Sequence, residues 1–392
     1  MKNTALTILI VFFILSFFII GMKQENKEKF KETRAIYISY IELNSYIKGK
    51  KEEISKQNII KMLDNIKEIN FNTIILHVRP FADSIYKSEY FPISNTIVNE
   101  QGTYPNYDIL EYIIKEAHIR NLKVEAWINP FRISNLTDKE QIPIDSPYYK
   151  FIKNNDAKII EGKGIFLNPA SKEVQELIIN GIREVVENYN IDGIHFDDYF
   201  YPDDTIDLES YDKYKEKNNN ISLEEYRREN ILTLIKNTYS SIKKINKNVV
   251  FGIAPEGNIE NNYNKHYLDI KEILSNEGYI DYIMPQIYYG FENQVKPFIE
   301  TIEVWDSLIT TKNIKLIPAL AFYKTGNIDE YAGAGKNEWK INDDIIKKEI
   351  LIARNKKHYA GFSLFRYEYL FNKEKMNAIS IQEKNNMLTV IN

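Results

Sequence analysis

The stretch Asn190-Ile-Asp-Gly-Ile-His-Phe-Asp-Asp-Tyr-Phe-Tyr-Pro202 sets a short apolar strand pattern directly before a cluster of carboxylates and aromatics. The two-residue period of a strand turns Ile194 and Phe196 to one face and His195 and Asp197 to the other. The strand therefore delivers an acid to its own C-terminal end. Further along, Val249-Val-Phe-Gly-Ile-Ala-Pro-Glu256 does the same with a glutamate. Two carboxylates on the ends of successive strands are what cleavage of a glycosidic bond needs.

Working outward, the same kind of apolar run recurs at Ala35 to Tyr40, Thr73 to Val78, Lys123 to Ile128, Gly193 to Asp197, Val249 to Ala254, Tyr279 to Ile287, Lys315 to Ala321 and Tyr359 to Phe365. Helical periodicities lie between them, at Gln57 to Ile69, Tyr107 to Asn121, Lys172 to Tyr189, Leu223 to Ile245, Asp269 to Ser275, Val295 to Leu308 and Asp343 to Asn355. Strands alternating with helices in this way predict an α/β chain folded as a (β/α)8 TIM barrel, whose active sites lie at the C-terminal ends of the strands. An open doubly wound sheet is disfavoured, because no glycine-rich phosphate turn follows the first strand. Two connections, Pro80 to Asn106 and Pro130 to Ser171, are long and leave the catalytic face, so they are expected to wall a groove. The polar segment Asp203 to Asn220 reads as a mobile lid or solvated loop. The run Ala332-Gly-Ala-Gly-Lys336 lacks the spacing and the Ser/Thr of a phosphate loop and reads as a flexible connection.

The expected organisation is a signal or transmembrane anchor over 1–22, a charged tether over 23–33, a catalytic barrel over 34–380 and a polar C-terminal tail over 381–392. Between Lys2 and Lys23 no residue is charged, and this length spans a hydrocarbon core. The end of that segment, Phe17-Phe-Ile-Ile-Gly-Met22, has no small-x-small cleavage site, which favours an uncleaved anchor through Leu6 to Ile20. Lys23, Lys27, Lys29 and Lys31 follow it and oppose export by the positive-inside tendency. The absence of cysteine is compatible with an exposed compartment.

With 44% hydrophobic residues the chain can bury a large core, and a barrel of about 250 residues or more is a usual single domain. The net charge of -4, with basic residues scattered, argues against nucleic acid as a partner. Twenty-eight Tyr and twenty Phe favour a carbohydrate, since aromatic faces stack on sugar rings, although many of them fill core.

Several blocks carry a resemblance. They are Arg34-Ala-Ile-Tyr-Ile-Ser-Tyr40, Val78-Arg-Pro-Phe-Ala-Asp-Ser-Ile-Tyr86, Ala126-Trp-Ile-Asn-Pro-Phe-Arg132, Phe166-Leu-Asn-Pro-Ala170, the Asp192 to Pro202 stretch and Met284-Pro-Gln-Ile-Tyr288. In this order they resemble the signature blocks of the bacterial family-10-like glycosyl hydrolases, over Arg34 to Phe371. The resemblance implies a TIM-type barrel, a cell-envelope location and action on the glycan strands of peptidoglycan, with some members lytic toward strands stripped of stem peptides. The strand-four block is also distantly similar to amylase-type barrels, where an aspartate nucleophile ends strand four and a glutamate acid/base ends strand five. Those barrels carry Arg two residues before the nucleophile, and this chain has His195 there.

On this reading Asp197 is the nucleophile or an acid that orients substrate, and Glu256 is the general acid/base, which requires a raised pKa. Asp198 should point away from the pocket unless the strand has already bent, and it reads as a hydrogen-bond partner or substrate-binding acid before a catalyst. Asp192 begins the strand and is expected to cap a turn. His77 and Arg79 should share one face of strand two, and Gln286 and Tyr288 one face of strand six. With Asp83, Asn129, Arg132, His195 and Tyr323 they are candidates to bind sugar hydroxyls, against the alternative that polar layers inside barrels satisfy one another. Trp127 reads as core. A metal site from His195, Asp197 and Asp198 is disfavoured because neighbouring strand residues diverge; no metal and no cofactor are expected. A substrate-assisted scheme of chitinase type wants alternating acids ending in Glu, and Tyr199 and Tyr201 stand in the later alternating positions.

The expected function is hydrolysis of a bacterial envelope polysaccharide, foremost peptidoglycan glycan, by two carboxylates with retention of configuration. The alternatives are a non-catalytic glycan-binding surface protein and a hydrolase of an extracellular α-glucan. The enzyme is expected outside the cytoplasmic membrane.

Overall fold

A computed structural model describes residues 31–99, 103–217 and 221–391. Nine short strands form one parallel sheet: β1 (Thr33–Ile38), β2 (Thr73–Arg79), β3 (Lys123–Ile128), β7 (Gly193–Phe196), β8 (Val250–Ile253), β9 (Tyr282–Ile283), β10 (Lys315–Leu316), β11 (Ala319–Leu320) and β12 (Gly361–Leu364). The order across the sheet is β10-β9-β8-β7-β3-β2-β1-β12-β11. Both end strands are cut from the single stretch Lys315 to Leu320. Pro318 interrupts that stretch because it has no N–H to give to the ladder. Leu316 also bridges to Tyr359 and Ala319 to Gln286, which draws the two ends of the sheet together. The curled parallel sheet with helices between its strands is TIM-barrel-like.

Helix starts follow local capping chemistry. Asp108 accepts from the Glu111 N–H at the head of Ile109–Ile119, and Ser222 with Glu225 forms a capping box ahead of Leu223–Ile245. Two cores result from strand alternation. Ile36, Leu76, Ile128, Ile194, Phe196 and Ile253 pack outward beneath the helices. Tyr37, Ile75, Trp127, Ala254, Tyr282 and Met284 fill the interior of the curl. Gly252 makes the second core possible, since a Cβ there would lie 2.0 Å from the Tyr282 ring.

Several expectations change. The sixth strand is only two residues long, because Pro285 interrupts its ladder before pairing resumes at Gln286. The connection after β3 folds into its own antiparallel sheet of β4 (Arg132–Ser134), β6 (Gly164–Leu167) and β5 (Ala157–Ile160). The segment Asp203 to Asn220 is anchored where it is described. It carries the helix Leu208–Lys215, and its buried Asp207 accepts from Arg227 at 2.8 Å and from the Tyr201 hydroxyl at 2.5 Å. The glycine run before Lys336 is a short 3-10 turn, Gly333–Asn337. Where it is described, the segment expected as a polar tail over 381–392 is a packed helix. The helix Ala378–Ile391 buries Glu383, Met387 and Ile391, and Glu383 caps the helix Ile345–Ala353 by accepting from the Ile345 N–H at 2.8 Å. The proposed anchor at 1–22 lies outside the described residues. Among the described residues no helix is long and apolar enough to cross a membrane.

Candidate active site

At the C-terminal ends of the strands lies a cavity of about 270 Å³. Its walls include Tyr37, Tyr40, His77, Trp127, Arg132, Tyr199, Tyr288, Tyr323, Phe365 and Arg366, and both Asp197 and Asp198 open into it. β7 ends at Phe196, so the two-residue alternation no longer governs the next residues. The Tyr199 N–H turns back to Asp197 Oδ1 at 3.4 Å, and the Phe200 N–H to the Asp198 carbonyl at 3.0 Å. That turn brings Asp198 into the pocket, against the expectation that it points away.

Asp197 is 3% exposed. Its Oδ2 accepts from Trp127 Nε1 at 3.0 Å and Asn129 Nδ2 at 3.1 Å. Burial and then the charge of Asp198 push its carboxyl up to about 7, against Arg132, Trp127 and the Tyr199 amide, which favour the ionised form. Asp198 is raised as well, by burial and by the charge of Glu256, with hydrogen bonding from Gln286 and the nearby His266 opposing. Two adjacent carboxyls in one low-dielectric pocket do not both ionise readily, so burial and mutual charge favour a protonated carboxyl in the pair.

Glu256 behaves in the opposite way. Its carboxylate accepts from Asn261 Nδ2 at 2.7 Å, and its Oε2 lies 3.3 Å from His266 Nε2. Burial would raise it, but the bonds from His266 and Asn261 outweigh burial and hold it below the ordinary glutamate range. It is not among the side chains lining the cavity. The raised pKa expected of an acid at this position is therefore absent; Glu256 is kept ionised, and its charge helps keep the proton on Asp198.

Beneath Asp197 runs a buried polar chain. The Tyr282 hydroxyl donates to Glu125, the Tyr282 oxygen lies 2.7 Å from His195 Nδ1, and the Tyr37 hydroxyl lies 3.0 Å from His195 Nε2. The Tyr37 hydroxyl also donates to Met284 Sδ at 3.1 Å. Burial lowers His195 to about 3, so it is neutral. It shares the Asp197 face, but it is not among the residues that line the cavity and is bonded to Tyr37 and Tyr282 beneath it.

Of the remaining candidates, Arg132, Gln286, Tyr288 and Tyr323 line the cavity. The Arg132 guanidinium lies over the Tyr199 ring at 4.7 Å. His77 lines it too. Its ring stacks on Trp127 at 3.6 Å, burial and then Arg132 lower its pKa, and neither ring nitrogen has a partner among the described residues. Three candidates are placed elsewhere. A bulge between His77 and Arg79 shifts the register by one residue, which sends Arg79 to the helix side, where its guanidinium lies 4.4 Å over Phe91. Asp83 accepts from the Phe81 N–H at 3.2 Å and is raised by burial to about 6, in a separate small cavity with Asn95, Ser134 and Gln141. Asn129 holds Asp197 and also accepts from the Arg132 N–H at 3.1 Å, so it positions the site instead of facing a sugar. Asp192 ties neighbouring elements together instead of capping a helix or turn: its carboxylate accepts from the Val124 N–H of β3 at 2.8 Å and pairs with His118.

Sequence reading missed Tyr37, Tyr40, Phe365 and Arg366 as cavity walls, and it placed Trp127 in the core alone. Trp127 is both, since strand alternation already set it on the interior face with His195. Arg366 is held by Glu42 Oε1 at 2.7 Å and by the Ser39 hydroxyl at 3.2 Å. Among the described residues no group of three or more His, Asp and Glu side chains is placed to hold a metal ion.

Residues 32–332 match the family described as Glycosyl hydrolase-like 10. The chain is 30% identical over 377 residues to the glycosyl hydrolase YngK of Bacillus subtilis (strain 168), covering 90% of this chain and 72% of that one. It is 29% identical over 353 residues to the glycosyl hydrolase DigH of Escherichia coli (strain K12), covering 83% of this chain and 79% of that one. The glycoside hydrolase domain of PgaB from Bordetella bronchiseptica shares the fold, with a TM-score of 0.56 at 11% identity over 91% of this chain and 99% of that one. On the family match and these relatives, the chain belongs to the glycosyl hydrolase-like 10 family and is a glycoside hydrolase.

Proposed function

We propose that the chain hydrolyses a polysaccharide of the bacterial envelope, foremost the glycan strands of peptidoglycan, with retention of anomeric configuration. The observation that carries this reading is the pair Asp197 and Asp198, which opens into an aromatic-walled cavity and whose carboxyls are raised above the ordinary range by burial. A protonated carboxyl can donate to the departing oxygen as the bond to the anomeric carbon breaks. Its ionised neighbour stabilises the positive charge that develops on the sugar. Glu256 acts through Asp198 as a fixed negative charge, a positioning role and not that of the acid. Tyr40, Trp127, Tyr288 and Tyr323 offer ring faces and hydroxyls to a sugar, and the unpartnered His77 offers a neutral hydrogen-bonding edge.

The envelope location rests on the uncharged segment between Lys2 and Lys23 and on the substrate, which lies outside the membrane. The barrel is proposed to sit on the outer side, tethered through Leu6 to Ile20. Protease added to intact protoplasts should then digest it, and full protection would defeat the export reading.

The activity is tested by incubating the purified full chain with wall glycan stripped of stem peptides and measuring new reducing ends. Release of fragments supports the reading. Binding without fragments indicates a non-catalytic glycan module, and release from an α-glucan but not from wall glycan indicates the other hydrolase class.

A further inference from the structure

The two acids of the pair are consecutive residues at one strand end and line the same cavity. Covalent two-carboxylate catalysis instead places its groups on opposite sides of the scissile bond, about 5 to 5.5 Å apart. Glu256, the carboxylate on the next strand, is ionised, engaged by Asn261 and His266, and absent from the cavity wall. No second acid therefore stands across the cavity from the pair among its lining residues. A carboxylate placed to attack from across the cavity is missing from its walls.

Asp197 and Asp198 are also held differently. Trp127 Nε1 and Asn129 Nδ2 both donate to Asp197 Oδ2, and the Tyr199 amide reaches Oδ1, so this carboxylate is fixed in orientation. Asp198 is met by Gln286, whose Nε2 is itself engaged with the Ala254 carbonyl at 2.9 Å. Asp197 is thus held by three donors from three residues, and Asp198 by its own amide and Gln286.

Resting on the glycan-hydrolase reading of this same cavity, we infer that the substrate supplies its own nucleophile: the enzyme acts on 2-acetamido sugars, Asp197 receives the acetamido N–H and Asp198 is the general acid. In the first step the acetamido carbonyl oxygen bonds to C1 as the C1 to glycosidic oxygen bond breaks. The leaving oxygen takes the proton of Asp198, and the sugar becomes a cyclic oxazolinium ion whose N–H faces ionised Asp197. In the second step water attacks C1, its proton passes to Asp198, and the C1 to oxazoline oxygen bond breaks to restore the acetamide. One water is consumed and configuration is retained, because C1 is inverted twice. The acetamido N–H against Asp197 favours that residue's ionised form, which leaves the pair's proton on Asp198. Adjacent acids perform this task where alternating ones were expected, because the chain turns immediately after Phe196.

The test compares stem-free wall glycan with the same material after chemical removal of its N-acetyl groups, using the purified full chain. The de-N-acetylated glycan should be cleaved at least about 1000-fold more slowly, and the thiazoline analogue of N-acetylglucosamine should inhibit cleavage and bind the wild type but not Asp197→Asn. Comparable cleavage of both glycans, or a sugar found covalently attached to Asp197 by mass spectrometry, would overturn the inference while leaving the hydrolase reading intact. If neither glycan is cleaved, the envelope-glycan reading fails. Thiazoline binding that depends on Asp197 would then still uphold the acetamido site, and no binding would overturn it.

Discussion

Two regions of this molecule bury carboxyl pairs whose pKa values are raised, and they differ in almost every other respect. Asp197 and Asp198 sit at a strand end, open into a cavity and meet Trp127, Asn129 and Gln286. Glu349 and Glu383 sit in the helical layer. Glu349 is fully buried with neither carboxyl oxygen partnered among the described residues, and Glu383, raised to about 7 mainly by burial, caps a neighbouring helix. Burial is the first cause of the raised pKa in both pairs. What separates them is access to a ligand-sized space and a set of donors that fix direction. A perturbed carboxyl marks a catalytic centre only with both, and the helical pair is a cost to stability that the rest of the fold carries.

The largest expected contrast follows from substitution within the first pair. Asp197→Asn and Asp198→Asn should each lower kcat by about 1000-fold or more, with unchanged circular dichroism, because a positioned acid and its charged partner contribute on this order. Near-normal turnover in either variant would remove that residue from the chemistry. Trp127→Phe deletes one donor and keeps most of the ring, so kcat should fall about 10- to 100-fold while KM changes less. A pure KM effect would show that Trp127 only stacks on sugar.

Glu256→Gln should cost about tenfold, far less than loss of an acid. It should also move the alkaline limb of the rate profile to lower pH, since the charge that helps hold the proton on Asp198 is gone. The wild-type limb itself should fall as pH rises through about 7, where the pair loses its proton. A thousandfold loss in Glu256→Gln would return the acid role to that residue.

Glu349→Met should leave kcat unchanged and stabilise the fold by on the order of 1–3 kcal/mol at pH 8, because an unpartnered buried carboxyl is costly once it must ionise. The sign follows from linkage. Glu349 and Glu383 have folded pKa values above the ordinary glutamate value, so their favourable contribution is complete below about 4.5 and is lost as pH rises through the folded values, about 7 for Glu383. Wild-type Tm should therefore fall between pH 5 and pH 8 more steeply than that of Glu349→Met. Parallel curves would show that Glu349 is partnered in solution.

The same contrast explains what could be read from sequence. Strand alternation set His195 and Asp197 on one face because they lie on or directly beyond a regular ladder; Gln286 and Tyr288 also line the cavity, although their strand ends at Ile283 and only isolated bridges carry Gln286 onward. Alternation failed for Arg79, where a one-residue bulge reverses the face, and for Asp198, where the strand has already turned. Glu256 was located on its strand end, but its ionisation is set by Asn261 and His266 from the segment that follows, contacts that no local pattern encodes. Asp83 and Asn129 were recognised as polar residues of the loops, and only tertiary packing assigned one to a separate cavity and the other to holding Asp197. Glu349 could have been noticed on the apolar face of Ile345–Ala353, among Ile345, Ile346, Ile350 and Ala353, as a carboxyl with no evident solvent route.

The central claim is that hydrolysis occurs at the Asp197–Asp198 pair by two displacements at one carbon. Proton NMR of the first product released from stem-free wall glycan, recorded before the new anomeric centre equilibrates, reads this directly. The account predicts that the product keeps the anomeric configuration of the substrate, and an inverted first product would contradict it.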